Sequence, residues 1–298
     1  MLFVKPDFYD KFSCIADKCR HSCCLGWEID IDEESLHRFM AVEGKFGEYM
    51  RRNIALEPTP HFVLGEDERC PFLRGDGLCR MILKLGEDAL CHICREHPRF
   101  YNELPGRLEA GLGLCCEEAT RLLLSGGEHL ELIHEGEDEG EEDALLSLRE
   151  EIFSILRDDS ISFSARAEKA LGLFGMAPLP FDGAFAAEFY LSLERLDETW
   201  TKRLEALKAA TADTALEPKI STLPYLRLTE YFIYRHFAAA PDEYEAALRL
   251  QFAFLSTQLV CALDKLFNDC ESLRLYSSEI EYSDENVDKI LDYIDENL

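Results

Sequence analysis

Long apolar runs are scarce in this sequence. No stretch approaches the ~18 to 20 uncharged apolar residues that a membrane-spanning helix needs. The first seven residues, MLFVKPD, place a lysine, a proline and an aspartate where a signal peptide carries its apolar segment. We therefore expect a soluble, cytoplasmic protein with no membrane partner.

Positive charge is also scarce. Lysine and arginine number 31 against 59 aspartates and glutamates, and the formal net charge is −28. A nucleic-acid surface has to neutralise phosphates with basic side chains, so the charge argues against a nucleic-acid partner. It suits a basic or lysine-bearing partner, although an acidic surface that only keeps a protein soluble is more common.

The clearest boundary in the sequence is the acidic segment at residues 135–143, in which seven of nine residues are acidic and the other two are glycine. Self-repulsion and glycine both oppose packing, so the segment predicts a solvated linker or an exposed helix start. A chain of 298 residues can hold one large domain or two smaller ones. We expect a cysteine-rich domain at residues 1–134 and a helical domain at residues 144–298.

The two predicted domains differ in their patterns. Apolar residues recur at helical spacing in segments 144–157, 185–210, 223–237 and 244–267, with no alternating strand pattern. Before the linker, turn-rich segments separate two helical patterns, at 31–52 with Asp32 as its cap and at 113–124. The predicted fold class is therefore mainly α: a loop-rich cysteine module stapled by a metal centre, followed by a helical bundle.

Cysteine is abundant and unevenly distributed. Ten of the twelve cysteines lie between residues 14 and 116, at positions 14, 19, 23, 24, 70, 79, 91, 94, 115 and 116. In a reducing compartment such clusters indicate thiolates that bind metal or carry out redox chemistry, and cysteines that only fill a core would scatter. Cys261 and Cys270 fall on a predicted helix and at its end, and we interpret them as structural thiols.

The clustered cysteines can form one metal centre or two. Thiolates bind zinc tetrahedrally and hold iron–sulfur clusters, usually four to a centre. Two adjacent cysteines rarely bind one metal because successive side chains diverge, so one member of each Cys-Cys pair can serve a second site or the core. Cys91 with Cys94 alone is a weak zinc-knuckle fragment, and surface roles are the more frequent state for the nearby His21, His92 and His97.

Several motifs carry a resemblance to a known family. Cys14 and Cys19 are followed by the run SCCLGW at 22–27, then CPFL at 70–73, LCRM at 78–81 and LGE at 85–87. Cys94-Arg95, Pro98-Arg99 and Cys115 with EATRL at 118–122 complete the set. In order and spacing, residues 12–124 resemble the flagellin lysine-N-methylase family, itself similar to zinc- or iron-chelating domains of the CxxCxxCC type.

The resemblance implies an iron–sulfur protein, expected to carry a 4Fe–4S cluster with zinc as the alternative, that transfers a methyl group from S-adenosylmethionine to lysine side chains. Its implied partner is flagellin or another lysine-bearing protein. The predicted metal ligands are the cysteines in the matching motifs: Cys14, Cys19, Cys23, Cys24, Cys70, Cys79, Cys94 and Cys115. Trp27, Arg95 and Arg99 are the predicted residues of the S-adenosylmethionine site, where the arginines can hold a carboxylate or offset the charge of the thiolates.

The sequence departs from familiar methyltransferases. Gly111-Leu112-Gly113 follows no convincing strand, so a glycine-rich nucleotide-binding turn is not indicated. The radical-type spacing would require a cysteine at position 26, where the chain has Gly26. Two other functions therefore stay open: a non-catalytic zinc- or iron-binding module for metal delivery or partner recognition, and a redox switch.

Overall fold

The computed structural model describes residues 1–137, 143–210 and 225–298. The chain divides into two compact units by its internal contacts. The first, which we call the helical unit, comprises residues 1–12, 101–115 and 119–298, and the second, the cysteine unit, comprises residues 13–100 and 116–118. The fold is mainly helical, as predicted, with a small sheet that the sequence analysis did not predict.

This division differs from the predicted boundary at residue 134. Residues 1–12 and 101–115 belong to the helical unit because their strands pair within its sheet. Of the predicted acidic linker, residues 138–142 lie outside the described residues, while Glu135 ends a strand and Asp143 caps a helix. Independent folding of residues 1–134 and 144–298 stays a prediction.

The elements follow one another in a long, helix-rich order. The strands are β1 (Leu2–Pro6), β2 (Ile54–Ala55), β3 (His61–Phe62), β4 (Arg99–Leu104), β5 (Arg107–Leu112) and β6 (Leu132–Glu135). The α-helices are α1 (Glu33–Ala41), α2 (Gly44–Arg52), α3 (Arg80–Leu85), α4 (His92–Glu96), α5 (Glu117–Leu124), α6 (Ala144–Leu156), α7 (Phe163–Gly172), α8 (Gly183–Ser192), α9 (Glu198–Ala209), α10 (Tyr225–His236), α11 (Glu243–Phe267), α12 (Glu271–Tyr276) and α13 (Asp284–Asn297). A π-helical turn, Ser277–Glu281, follows α12.

The sheet of the helical unit has the strand order β4-β5-β1-β6. Strand β1 pairs in parallel with β5, with Phe3 opposite Leu108, and antiparallel with β6, with Val4 opposite His134. Buried charged residues, Lys5 in β1 and Glu109 in β5, interrupt the apolar pattern of these strands. The two strands therefore lack the alternation of apolar and polar residues that indicates a strand. For this reason the sequence did not predict the sheet.

The predicted helices of the second half are mostly confirmed. Segments 144–157 and 244–267 correspond to α6 and α11. Segment 223–237 corresponds to α10, although residues 223 and 224 lie outside the described part of the chain. Helix α11 is, in the described ranges, the one helix long and apolar enough to cross a membrane, and 83% of its most apolar window is buried inside the protein. Such burial is typical of a core helix.

Three predicted helices were wrong in extent. Segment 31–52 forms α1 and α2, because the backbone is extended at Val42 and Glu43. Segment 185–210 breaks into α8 and α9, since the Glu279 carboxylate accepts hydrogen bonds from the N–H groups of Leu196 and Asp197 and holds them as a loop. Segment 113–124 becomes helical only from Glu117 onward.

A buried ion pair fastens the sheet of the helical unit to its helices. Arg149 of α6 donates two hydrogen bonds of 2.7 Å to the two carboxylate oxygens of Glu109 in β5, and both side chains are buried. The Arg149 guanidinium also lies 5.4 Å from the ring centre of Tyr234, whose hydroxyl donates to the carbonyls of Val4 and Ala110. Two strands and two helices thus meet at one charge pair.

Asp32 plays a similar joining role in the cysteine unit. Its carboxylate caps α1 by accepting from the N–H of Ser35 at 2.9 Å, and it also accepts from the N–H of His92 at 2.8 Å. Burial raises the pKa of Asp32, but the hydrogen bonds from His92 and Ser35 outweigh burial and lower the pKa to about 2. The predicted cap is confirmed, and it also fixes the start of α4, which carries Cys94.

We expect Arg149→Met to lower the free energy of unfolding by about 3 kcal/mol, because it leaves the buried Glu109 carboxylate without its bidentate partner. Arg107, at 3.8 Å from the same carboxylate, keeps the cost at the lower end of the usual range. Urea denaturation measures the change. The double variant Glu109→Gln/Arg149→Met is the control and should cost less than Arg149→Met alone; an equal or larger cost would contradict the assignment.

We expect Asp32→Ala to lower the free energy of unfolding by about 2 kcal/mol, because it removes both a helix cap and the hydrogen bond from the N–H of His92. Glu34→Ala, an exposed change in the same helical turn, should cost under about 0.5 kcal/mol. Because the folded pKa of Asp32 is depressed, its contribution is complete above about pH 4 and is lost as the pH falls toward 2. Thermal melts of both variants between pH 7 and pH 2 check this, and a pH-independent difference would contradict it.

Candidate functional site

The cysteine unit gathers nine of the twelve cysteines. They come from four stretches of chain that are far apart in sequence: residues 14–24, 70–79, 91–94 and 116. Cys261 and Cys270, interpreted as structural thiols, lie in the helical unit, the first buried on α11 and the second exposed before α12. The structure thus places the predicted cysteine clusters together in one compact unit.

Five of the nine cysteines pack on the apolar core of the unit, and we call them the inner cysteines. They are Cys24, Cys70, Cys79, Cys91 and Cys94. Cys70 and Cys91 are buried, and the other three are half-buried against the same core, which includes the edge-to-face rings of Phe62 and Phe72. The fold therefore brings thiols from three separate segments to one place.

Direct contacts join the inner cysteines. The thiols of Cys24 and Cys70 are hydrogen-bonded, and the N–H of Cys70 donates to the carbonyl of Cys24 at 2.9 Å. The thiols of Cys91 and Cys94 are hydrogen-bonded as well, and Cys94 interacts electrostatically with Cys24 and Cys70. Cys91, which the sequence analysis left out of the ligands, is therefore part of the group.

The remaining four cysteines of the unit lie toward its surface, and we call them the outer cysteines. They are Cys14, Cys19, Cys23 and Cys116, of which Cys14 and Cys23 are exposed and the other two half-buried. Cys19 and Cys23 each interact electrostatically with Cys14 and Cys116. Glu117 fastens these segments together, accepting hydrogen bonds of 2.8 Å from the backbone N–H and the Nε of Arg20.

Both Cys-Cys pairs are split by the fold. Cys23 is an outer cysteine and Cys24 an inner one, although their thiols are hydrogen-bonded to each other. Cys116 belongs to the cysteine unit, whereas Cys115 belongs to the helical unit and hydrogen-bonds the Tyr282 side chain there. The two members of each pair thus differ in surroundings, although Cys23 and Cys24 stay in contact, and Cys116 joins the candidate ligands.

The thiols differ in how readily they ionise. Hydrogen bonds from the thiols of Cys23 and Cys70 lower the pKa of Cys24, since they stabilise its thiolate. The bond from Cys94 likewise lowers the pKa of Cys91. Burial raises the pKa of Cys19 to about 11 and also raises that of Cys79. Cys24 and Cys91 are therefore the inner thiols best prepared to bind a cation.

His97 lies beside the inner cysteines. Its ring centre is 5.9 Å from that of Trp27, and the imidazole interacts electrostatically with Cys24. Burial lowers the pKa of His97, which favours the neutral imidazole. A neutral imidazole can bind a metal or hydrogen-bond a thiolate.

The residues predicted for the S-adenosylmethionine site lie close to cysteines along the chain, and each contacts a neighbouring residue. Trp27 is 39% exposed, and its Nε1 donates to the carbonyl of Cys23 at 2.5 Å. Arg95 lies 3.4 Å from Glu96, and Arg99 donates to the carbonyl of Arg95 at 3.4 Å. Their role in cofactor binding stays a prediction.

Two cavities of the helical unit offer no match to that prediction. An open groove of about 1040 Å³ is lined by Tyr101, Glu103, Asp143, Asp242 and Tyr244 among others, and a small cavity lies beside Phe189 and Tyr293. Trp27, Arg95 and Arg99 line neither of them. A cofactor pocket formed by these three residues would therefore be separate from both cavities.

The spacing of the sulfurs bears on the kind of metal. In the described residues, the one set of three side chains whose donor atoms all lie within 4.8 Å of one another is Glu128, His129 and Asp159 of the helical unit, and it contains no cysteine. Thiolates on one zinc ion, at about 2.3 Å from the metal, would lie within about 4 Å of each other. In a cluster each thiolate binds its own iron, so wider spacing is normal.

Known proteins share part of this sequence. The chain is 31% identical to the lysine-N-methylase of Salmonella typhimurium over 136 residues, which is 41% of this chain and 32% of that protein. It is 30% identical to the flagellar biosynthetic protein FliU of Salmonella muenchen over 129 residues, which is 76% of that protein. A lysine-N-methylase of Salmonella choleraesuis matches equally well, at 31% identity.

The chain spans about a third of the length of the curated methylases that it matches. No family model matches the sequence. No solved structure matches it either. The FliU match covers most of that relative, and with the two methylases it confirms the family that the motifs predicted: the chain belongs to the flagellin lysine-N-methylase family.

Proposed function

We propose that this protein is a cytoplasmic lysine N-methyltransferase that carries an iron–sulfur cluster and methylates lysine side chains of flagellin, using S-adenosylmethionine. The observation that carries the proposal is the gathering of nine cysteines in one compact unit of a chain whose relatives are named lysine-N-methylase. One relative is named flagellar biosynthetic protein FliU, and this name supports a substrate from the flagellum.

The donor set fits a cluster. Cys24, Cys70 and Cys94, with Cys79 and Cys91 beside them, offer more than the four thiolates that a cluster needs. Pairs of these thiols are in contact, but among the described residues no three of the sulfurs all lie within 4.8 Å of one another, as thiolates on one zinc ion would. The polypeptide around them is apolar, which excludes water and stabilises a cluster against hydrolysis.

The acidity of the chain supports a lysine-bearing substrate. A substrate ammonium is drawn toward a surface of net charge −28, and this attraction acts on the rate of encounter. Lysine has an ordinary pKa of about 10.4, so its Nζ must lose a proton before it can accept a methyl group. A pocket of low polarity lowers that pKa by disfavouring the charged form. Bound S-adenosylmethionine would supply the methyl group as an electrophilic sulfonium.

A second function is a non-catalytic iron- or zinc-binding module. It is favoured by the limited match to the methylases, of whose length this chain covers 32%. In that case the cysteine unit would bind metal, and no methyl transfer would take place.

We expect protein purified without oxygen to be brown and to contain iron and acid-labile sulfide. Cys24→Ser should lower the iron content severalfold because it removes the most readily ionised inner thiol, whereas Cys270→Ser, at an exposed thiol of the helical unit, should leave it unchanged. Metal analysis of the three proteins tests this. Colourless protein that contains stoichiometric zinc would refute the iron–sulfur cluster. The conclusion that the cysteine unit binds metal would then still hold.

We expect metal-loaded protein to transfer labelled methyl groups from S-adenosylmethionine to lysines of flagellin from the same organism, detected by mass spectrometry. Flagellin whose lysines are chemically acetylated is the control and should gain no label, since acetylation removes the nucleophilic amine. With an intact metal centre, absence of both methyl transfer and S-adenosylmethionine binding by calorimetry would favour the non-catalytic module.

A further inference from the structure

The nine cysteines of the cysteine unit form two groups that differ in burial and in packing. The five inner cysteines sit on the apolar core around Phe62 and Phe72. The four outer cysteines are exposed or half-buried. Three of the four outer cysteines come from the loop at residues 14–23, which contains only a short 3-10 turn, whereas the inner cysteines pack on the apolar core.

The number of donors exceeds what one centre uses. A zinc ion or an iron–sulfur cluster takes four thiolates. One centre would leave five thiols without a ligand role in the same unit, among them the exposed Cys14 and Cys23. An exposed thiol that binds no metal is open to oxidation. We therefore expect the four outer cysteines to have a ligand role of their own.

The outer cysteines are held in place by contacts of their own. Glu117 joins the loop at Arg20 to the segment that carries Cys116, through two hydrogen bonds of 2.8 Å. The Cys19 sulfur lies 3.7 Å from the same carboxylate. Asp17 packs closely against Gly77, where an added Cβ would lie 3.1 Å from the Asp17 Cα. The loop is thus held at Asp17 and at Arg20, on either side of Cys19.

The two groups meet at a single peptide bond. Cys23 faces Cys14 and Cys116, while Cys24 faces Cys70 and Cys79. Neighbouring Cα atoms are about 3.8 Å apart, so two adjacent thiols can serve adjacent but different metal sites. The thiols of Cys23 and Cys24 are themselves hydrogen-bonded, which places the two groups in direct contact. The Cys-Cys pair is therefore suited to hold two centres at a fixed, short separation.

We propose that the cysteine unit holds two separate thiolate-ligated metal centres, an inner one on four of the five inner cysteines and an outer one on Cys14, Cys19, Cys23 and Cys116. The outer centre lies near solvent and is the more accessible to chelators and oxidants. The inner centre is built into the core, so its loss also destabilises the unit. The proposal rests on the proposed function only in taking the thiolates as metal ligands.

The test is the metal content of the anaerobically isolated full chain, read by elemental analysis and native mass spectrometry. The double variant Cys14→Ser/Cys116→Ser should lose the metal of one centre and retain that of the other. The melting temperature of the protein should stay unchanged, because the inner centre still supports the core. Cys261→Ser/Cys270→Ser is the matched control in the helical unit and should retain both. A timed chelation of the unaltered protein should remove the outer metal first, in two separate phases.

Two results would overturn the proposal. Full retention of metal by Cys14→Ser/Cys116→Ser would mean that the outer cysteines bind none, and loss of all metal would mean that both groups serve one centre. Neither readout depends on methyl transfer. Two-phase metal loss from a chain that methylates nothing would leave the two centres standing and refute the proposed activity alone.

Discussion

The pairing of Cys24 with Cys70 determines the arrangement of the cysteine unit. A backbone hydrogen bond and a thiol hydrogen bond join two positions that are far apart along the chain, and Phe72, two residues after Cys70, is buried in the apolar core. The helices that carry or precede the other inner cysteines, α3 and α4, have only six and five residues. Helices of that length are unstable alone. They depend on contacts made around this pair.

The sequence revealed the local features better than the long-range ones. Asp32 was recognised as a cap because its effect is confined to one helical turn, whereas its second hydrogen bond, to His92, depends on the tertiary fold. Likewise the break between α8 and α9 results from Glu279, a residue some eighty positions away. No local pattern could have shown either contact, because both partners look ordinary in sequence.

The cysteines illustrate the same limit. Clustering alone indicated the region in which metal ligands are predicted, and the motifs supplied eight candidate ligands. Cys91 and Cys116 were left out, the first because it resembled a core thiol and the second because only the fold shows which member of its pair faces the cysteine unit. Cys91 is in fact both buried and hydrogen-bonded to Cys94, so a core position and a ligand position are compatible here.

The hydrogen bonds between thiols have a consequence for the proton inventory of the protein. In each pair one sulfur favours the thiolate while its partner keeps the proton: Cys24 and Cys91 are the acceptors, Cys70 and Cys94 the donors. A chain of net charge −28 gains little from further anions, so these shared protons limit the charge of the metal-free unit. Under the proposed function, each cysteine ligand has to give up its proton before it binds metal. Metal loading would then be an exchange of protons for metal, and acid would work directly against it.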